Sequence, residues 1–216
     1  MDKLTQAFNF RHACKIFDDT KQIPQEEIDY ILEAGRQSPS SFGMEPWHFV
    51  VINDVTIKQQ LKPLCYEQPQ ITSCSDLIIV LYRKESHFTM QSEYLRQAVQ
   101  RTLPAQGASF DLDAACQYFI NYCKQGLPKG VSIDNWSEMQ CYIPSTNMMT
   151  AAAYHGIDSC AIGGFQGDKI IAELEKRLPQ LSVNNFGVAL CLAFGYRKNP
   201  QTEQLRWEKA SLTTFL

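Results

Sequence analysis

Two stretches of this chain, LIIVLY at 77–82 and GVALCLAFG at 187–195, are its longest apolar runs. Neither approaches the about 20 residues that a membrane-spanning helix needs. Both are short, bounded by polar or turn residues and rich in aliphatic side chains, and they read as strands over 77–83 and 187–195. HFVVIN (48–53) reads as a further short buried strand, and GIDSCAIGGF (156–165) as a strand that runs into a glycine turn.

Helical signals lie between them. Residues 24–37 place Ile28, Ile31, Leu32 and Gly35 on one face, with Pro24 at the first helical position and Glu26 and Glu27 complementing the dipole. SPSSFGMEP then stops that helix. Further helices are expected near 55–64, 88–102, 110–125 and 168–177, with breaks at Pro104, Gly107, Gly126, Pro128 and Gly130. A helix over 137–155 is apolar on most sides, which marks a buried element. Pro144 should kink it or mark its start, and Gly156 should stop it. Helices and strands mix without a βαβ rhythm, so the expected class is α+β. No linker divides the chain, and a single domain over 1–216 is expected, with 84–134 its least regular part.

Charge and cysteine usage narrow the function. A formal net charge of −3 gives no support for a nucleic-acid binder. MDKLTQAFNF has neither the basic start nor the apolar stretch of a signal peptide, so a cytoplasmic protein is expected. The eight cysteines include no C-x-x-C pair, and the four histidines lack metal-ligand spacing. Several cysteines sit in apolar runs, where they read as small buried hydrophobes in a reducing compartment.

The common catalytic signatures G-x-S-x-G, H-E-x-x-H, the Walker loop and G-x-G-x-x-G are all missing. What remains is a series of polar stretches at element ends: RHACK (11–15), SPSSFGMEPWHF (38–49), YEQPQI (66–71), CAIGGF (160–165) and QLR (204–206). Singly, each has an ordinary reading: a solvated basic patch for Arg11 and Lys15, a helix stop for SPSS, a tight turn for the two glycines.

In order, they are more specific. R-H-x-x-K-x-F followed by S-P-S-S-x-x-x-x-P-W-H-F-V, the turn GGF after a short strand, and a late arginine resemble the FMN-dependent, oxygen-insensitive NAD(P)H nitroreductases (NfsB-like) over the whole chain. Cys14, Cys160 and Gly163 resemble most the cysteine-bearing, Helicobacter-type (RdxA-like) subgroup. The resemblance implies a mainly antiparallel sheet flanked by helices, in an intertwined homodimer that exchanges C-terminal tails. It implies bound FMN, with NAD(P)H as donor and a nitroaromatic, nitroheterocycle or quinone as acceptor, in a ping-pong hydride mechanism. Arg11 and Arg206 are then expected at the FMN phosphate, where an arginine fork suits a dianion. His12, Ala13 and Cys14 are expected along the cofactor arm, and Lys15 at the flavin ring, tuning its charge. Gly163 and Gly164 would let backbone N–H groups approach the ring. Pro39, Ser40, Ser41 and Gly43 would reach over the flavin from the other subunit. Phe42, Tyr118, Phe119 and Tyr122 are candidates for the substrate pocket, the last three equally for helix core.

Several positions depart from the pattern. Ala13 replaces a phosphate-binding serine, Glu67 a ring-binding asparagine, and Gln70 and Gln204 replace lysines. Gln68 is the alternative ring ligand if the alignment slips by one. These changes imply weaker FMN retention and a more negative flavin potential. Cys14, between His12 and Lys15, has the setting of a reactive thiol, but without a resolving cysteine beside it a passive role is favoured. Two rivals remain: a flavin, quinone or pteridine reductase on the same scaffold, and a flavin-free thiol-redox or metal-binding protein.

Overall fold

A computed structural model describes residues 2–102 and 111–216. In chain order the elements are α1 (Lys3–Phe10), α2 (Gln25–Arg36), β1 (Trp47–Ile52), α3 (Val55–Leu61), α4 (Gln70–Ser73), β2 (Asp76–Arg83), α5 (Glu93–Thr102), α6 (Leu112–Gln125), α7 (Ile133–Tyr154), β3 (Asp158–Ile162), α8 (Gly167–Glu175), β4 (Phe186–Gly195) and α9 (Lys209–Leu212). The four strands form one antiparallel sheet in the order β1-β2-β4-β3. The two most apolar runs are its centre, as their composition requires, and all ten residues of β4 are buried.

Helices cover both faces, which is why β2 and β4 do not alternate between apolar and polar residues. Leu77, Ile79 and Leu81 of β2 point to one side with Val188, Cys191 and Ala193 of β4, against Ile170, Ile171 and Leu174 of α8 and Leu61 of α3. Ile78 and Val80 point to the other side with Leu190, Leu192 and Phe194, against Met148 and Ala152 of α7 and Ile28 and Ile31 of α2. A register shift between Val80 and Leu81 lets Ala189 and Leu190 share the α7 face. Packing leaves no room for a side chain at several glycines, Gly35 and Gly187 among them. A Cβ on Gly35 would come within 2.9 Å of Met148 Sδ, and one on Gly187 within 2.2 Å of the Tyr82 ring.

Three expectations need correction. Helix α7 begins at Ile133 rather than 137, because Ser132 and Asn135 form a reciprocal capping box there. Pro144 lies inside it and does not mark its start. Ser145 Oγ donates to Cys141 O at 2.7 Å, and the neighbouring turns carry the helix through. Helix α1, which has no strong apolar stripe, was not anticipated; Asp2 caps it by accepting from Thr5 N at 3.0 Å. The expected breaks at Pro104 and Gly107 fall outside the described residues. Gly156 ends α7 as expected, with φ +74°.

Candidate active site

The segment after α1 runs along the free edge of β3. Cys14 N donates to Ser159 O at 3.0 Å, Ala13 bridges Ser159 in parallel, and Phe17 bridges Arg197. This placement aims the alternate residue Lys15 at the end of β3, with its Nζ 3.7 Å from Cys160 Sγ. The loop before α4 closes on the same point. Tyr66 and Glu67 both take left-handed backbone (φ 54° and 57°), which turns Gln68 toward the glycine loop. Gln68 Nε2 donates to Cys65 O at 2.8 Å and Gly164 O at 2.9 Å. Gln70 Nε2 donates to Gln68 Oε1 at 3.0 Å and lies 4.0 Å from Cys160 Sγ. Lys15, Gln68, Gln70, Cys160 and Gly164 are therefore one connected group. Space beside it is open: a Cβ on Gly163 would meet nothing within 4 Å, and one on Gly164 nothing closer than Gln68 Nε2 at 3.5 Å. Neither glycine needs a left-handed backbone, so approach rather than turn geometry is what glycine provides here.

A cleft of 190 Å³ continues from Lys15 past His12 and Ala13 to Asn199 and Thr202 at the start of the tail. The Arg11 guanidinium, half-buried, has no hydrogen bond or ion pair among the described residues. Arg206 is exposed and, among the described residues, donates only to Leu205 O, at 2.7 Å.

Three residues expected at the ring or arm have partners within the chain. Glu67 lies 3.7 Å from Lys62, while Gln68, the alternative ring ligand, is the one that meets Gly164. Gln204 spends its amide on the carbonyls of Phe8 and Asn9, both at 3.0 Å, and of Arg11, satisfying the end of α1. Cys14 is buried and its thiol is pushed up to about 11, by desolvation first and by Asp158 second. It is a neutral thiol near pH 7 that donates to Ile16 O at 3.3 Å.

Two residues with no obvious signal in the sequence hold this region. Arg197 Nη2 lies 2.6 Å from Asp158 Oδ1, and Arg197 N donates to Asp158 Oδ2 at 2.8 Å. The same guanidinium covers the Phe10 ring at 4.1 Å and donates to Gln201 Oε1 at 2.7 Å. His12 Nδ1 stands 3.5 Å from Asp158 Oδ1. Desolvation, then Arg197, lowers the His12 pKa, with Asp158 opposing, so the ring is neutral near pH 7. The one clue was Asp158 itself, an acid opening an otherwise apolar strand.

The second set of candidates lies apart. Ser41 N donates to Gln140 Oε1 of α7 at 2.8 Å, and Ser40 Oγ accepts from Glu45 N at 2.7 Å. The tight turn between Pro39 and Gly43 holds Phe42 at φ 58°, its ring 4.7 Å from Tyr122 and 5.5 Å from Phe119. Phe119 is 1% exposed in a core with Phe88 and Trp136, whereas Tyr118 is 67% exposed. Of the three α6 aromatics, only Tyr122 is both accessible and beside Phe42. Among the described residues, no hydrogen bond, ion pair or ring contact joins this group to the Lys15 group.

Residues 9–196 match the sequence model of the nitroreductase family. The chain belongs to the nitroreductase family. Membership makes it an oxidoreductase. Among similar nitroreductases, a protein of Staphylococcus haemolyticus provisionally named an NAD(P)H nitroreductase is 37% identical over 95% of this chain and 93% of its own. One from Staphylococcus epidermidis with the same provisional name is 35% identical over 99% and 96%. The fold is that of solved nitroreductases. One from Exiguobacterium sibiricum, solved in complex with FMN, superposes with a TM-score of 0.79 at 22% identity, over 100% of this chain and 98% of its own. An enone reductase of gut-bacterial fatty acid saturation superposes with 0.78 at 20% identity, over 100% and 99%.

Proposed function

We propose that this nitroreductase-family chain is an FMN-dependent NAD(P)H oxidoreductase that reduces flat electrophiles: nitroaromatics, nitroheterocycles or quinones. The observation that carries the reading is the Lys15–Gln68–Gln70–Gly164 group, set beside open space and a cleft that runs past His12 and Ala13, the residues that follow Arg11. That donor set fits FMN. Lys15 and Gln68 would face the ring edge, Gly163 and Gly164 would give it their backbone N–H groups, and Arg11 would hold the phosphate with His12 and Ala13 along the arm. When bound, FMN supplies a ring that takes a hydride from NAD(P)H and gives electrons to a second acceptor in the same place. Lys15 contributes a cation with no carboxylate partner among the described residues, which favours an anionic reduced ring. Neutral His12 donates or accepts one hydrogen bond without adding charge.

Half of the proposed site comes from a second copy. In this reading Pro39–Gly43, with Phe42 and Tyr122, roof the partner's flavin, and Arg206 reaches the partner's phosphate. Met139, Tyr142 and Ile143 of α7 are exposed, as are Leu205, Trp207 and Phe215 of the tail, a pattern that suits an interface rather than water. Beside the free edge of β1 lies a groove of 480 Å³ between α2 and the strand, with Leu32, Trp47, Phe49 and Val51 in its wall, where a partner's tail would complete the sheet. We place the chain in the cysteine-bearing, RdxA-like subgroup on Cys14, Cys160 and Gly163–Gly164. Its eight free thiols suit the cytoplasm.

The test is steady-state kinetics with NADH and NADPH against a nitrofuran, a quinone, free flavin and a pterin. Parallel double-reciprocal lines, with kcat/KM highest for the nitro compound or quinone, are expected. Intersecting lines, or a preference for flavin or pterin, would contradict the assigned acceptor class.

A further inference from the structure

At the end of β2, away from the Lys15 group, Arg83 carries a charge that no carboxylate among the described residues answers. Its guanidinium stacks 4.3 Å above the Tyr94 ring and 5.2 Å from the Phe186 ring. Nε is buried without a hydrogen-bond partner, and no carboxylate among the described residues comes within ion-pair distance of the group. Residues 103–110, LPAQGASF, contain no acid that would supply one. The two nearby imidazoles do not compensate. Desolvation and then Arg83 lower the pKa of both His48 and His87, so both are neutral near pH 7. Aromatic faces recover part of the cost of desolvating a cation, but less than a carboxylate does.

Arg83 opens into a cavity of 340 Å³ whose walls include Met44, Trp47, Tyr94, Gln97 and Arg101. That volume falls within the range of small-molecule sites, and the mix of apolar walls with a few fixed polar groups is typical of them. The cavity's one acid, Glu45, is already engaged, at 3.0 Å from Arg101 Nη1, while Arg101 Nη2 donates to Gly43 O at 2.9 Å. Arg83 is thus the unanswered charge.

We propose that this cavity is a second ligand site, distinct from the flavin site, which takes a small organic carboxylate. The carboxylate pairs with the planar fork of Arg83, and the apolar body lies against Trp47 and Tyr94. Met44 and Glu45 form one wall, just after the Pro39–Gly43 segment that the proposed function assigns to the roof of the partner's flavin.

Calorimetric titration of the FMN-loaded protein with benzoate, and with its neutral isostere benzamide, tests this. Benzoate should bind once per chain, about tenfold or more tighter than benzamide, since charge-assisted hydrogen bonds carry the difference. Arg83→Gln should erase the preference. So should Gln97→Trp, which blocks the mouth from an exposed helix position and keeps the test available if the first variant fails to fold. The flavin absorption band should not shift on binding. Equal affinity for the two probes, benzoate binding unchanged in a folded variant, or a shifted flavin band that places benzoate on the ring would each overturn the proposal. So would an unaltered dimer that binds no benzoate because a carboxylate of the second copy fills the cavity.

Discussion

Lys15 and Cys14 are neighbours with opposite fates. Alternation along the β3 edge buries the thiol and sends the ammonium to the open group. With its thiol held near pH 11, Cys14 should resist iodoacetamide at pH 7.5 in the folded protein and react only after unfolding. Fast labelling that abolishes reduction with flavin bound would contradict this. Lys15→Gln should make the bound flavin harder to reduce and lower kcat more than FMN affinity, read by redox titration beside a binding isotherm. His87 gives a pH signature. Its folded-state pKa is pushed down to about 4, against an ordinary value of 6.5, chiefly by desolvation. Between these values the unfolded chain binds more protons, so this contribution to stability is complete above pH 6.5 and is lost as pH falls toward 4. Replacing His87 with Phe should flatten the fall of the urea midpoint between pH 6.5 and pH 4.5; an unchanged slope would show that other groups carry it. At this scale, residue type was legible and direction was not. The sequence marked 66–71 as ring-facing, but only the left-handed backbone at Tyr66 and Glu67 decides that Gln68 faces the glycines while Glu67 meets Lys62.

At the scale of elements, the site is held by pairing between the N-terminal segment, β3 and the start of the tail. Asp158 is the joint, because its two oxygens answer both the backbone and the guanidinium of Arg197. Asp158→Asn leaves that cation underpaired and should cost about 3 kcal/mol in urea unfolding, since breaking a largely buried pair strands the remaining charge. FMN should also be held more weakly, because the same joint seats His12. A loss below about 0.5 kcal/mol, the scale of an ordinary surface change, would show the pair to be incidental. Gly187→Ala forces the Tyr82 ring aside and should cost about 1–3 kcal/mol through overpacking. The strands and most helices were legible because their composition leaves one placement. β4 has no polar residue to expose, and Gly156 alone suits the turn that ends α7. Pro144 did not mark the start of α7, because the Ser132–Asn135 capping box sets that start further upstream.

Among the described residues, the chain holds two proposed half-sites that no hydrogen bond, ion pair or ring contact joins. Lys15 and its neighbours lie at the β3 edge, while Phe42 and Tyr122 lie with α5 and α6. The proposed remedy is a second copy, drawn in by the exposed face of α7 and the apolar tail. Removing residues 200–216 should therefore turn a dimer into a weaker or monomeric species in sedimentation, and should release FMN as well. A truncated protein that stays dimeric with full flavin would contradict tail exchange. The fold class and the polar stretches were legible from one chain, but the completed site was not, because in the proposed reading its second half comes from a second copy. The most direct test of the central claim is the absorption spectrum of the purified protein after addition and removal of excess FMN, with flavin counted per chain. One FMN per chain, lost at least partly in Arg11→Gln, is the predicted result. A colourless protein that retains no FMN would contradict the account.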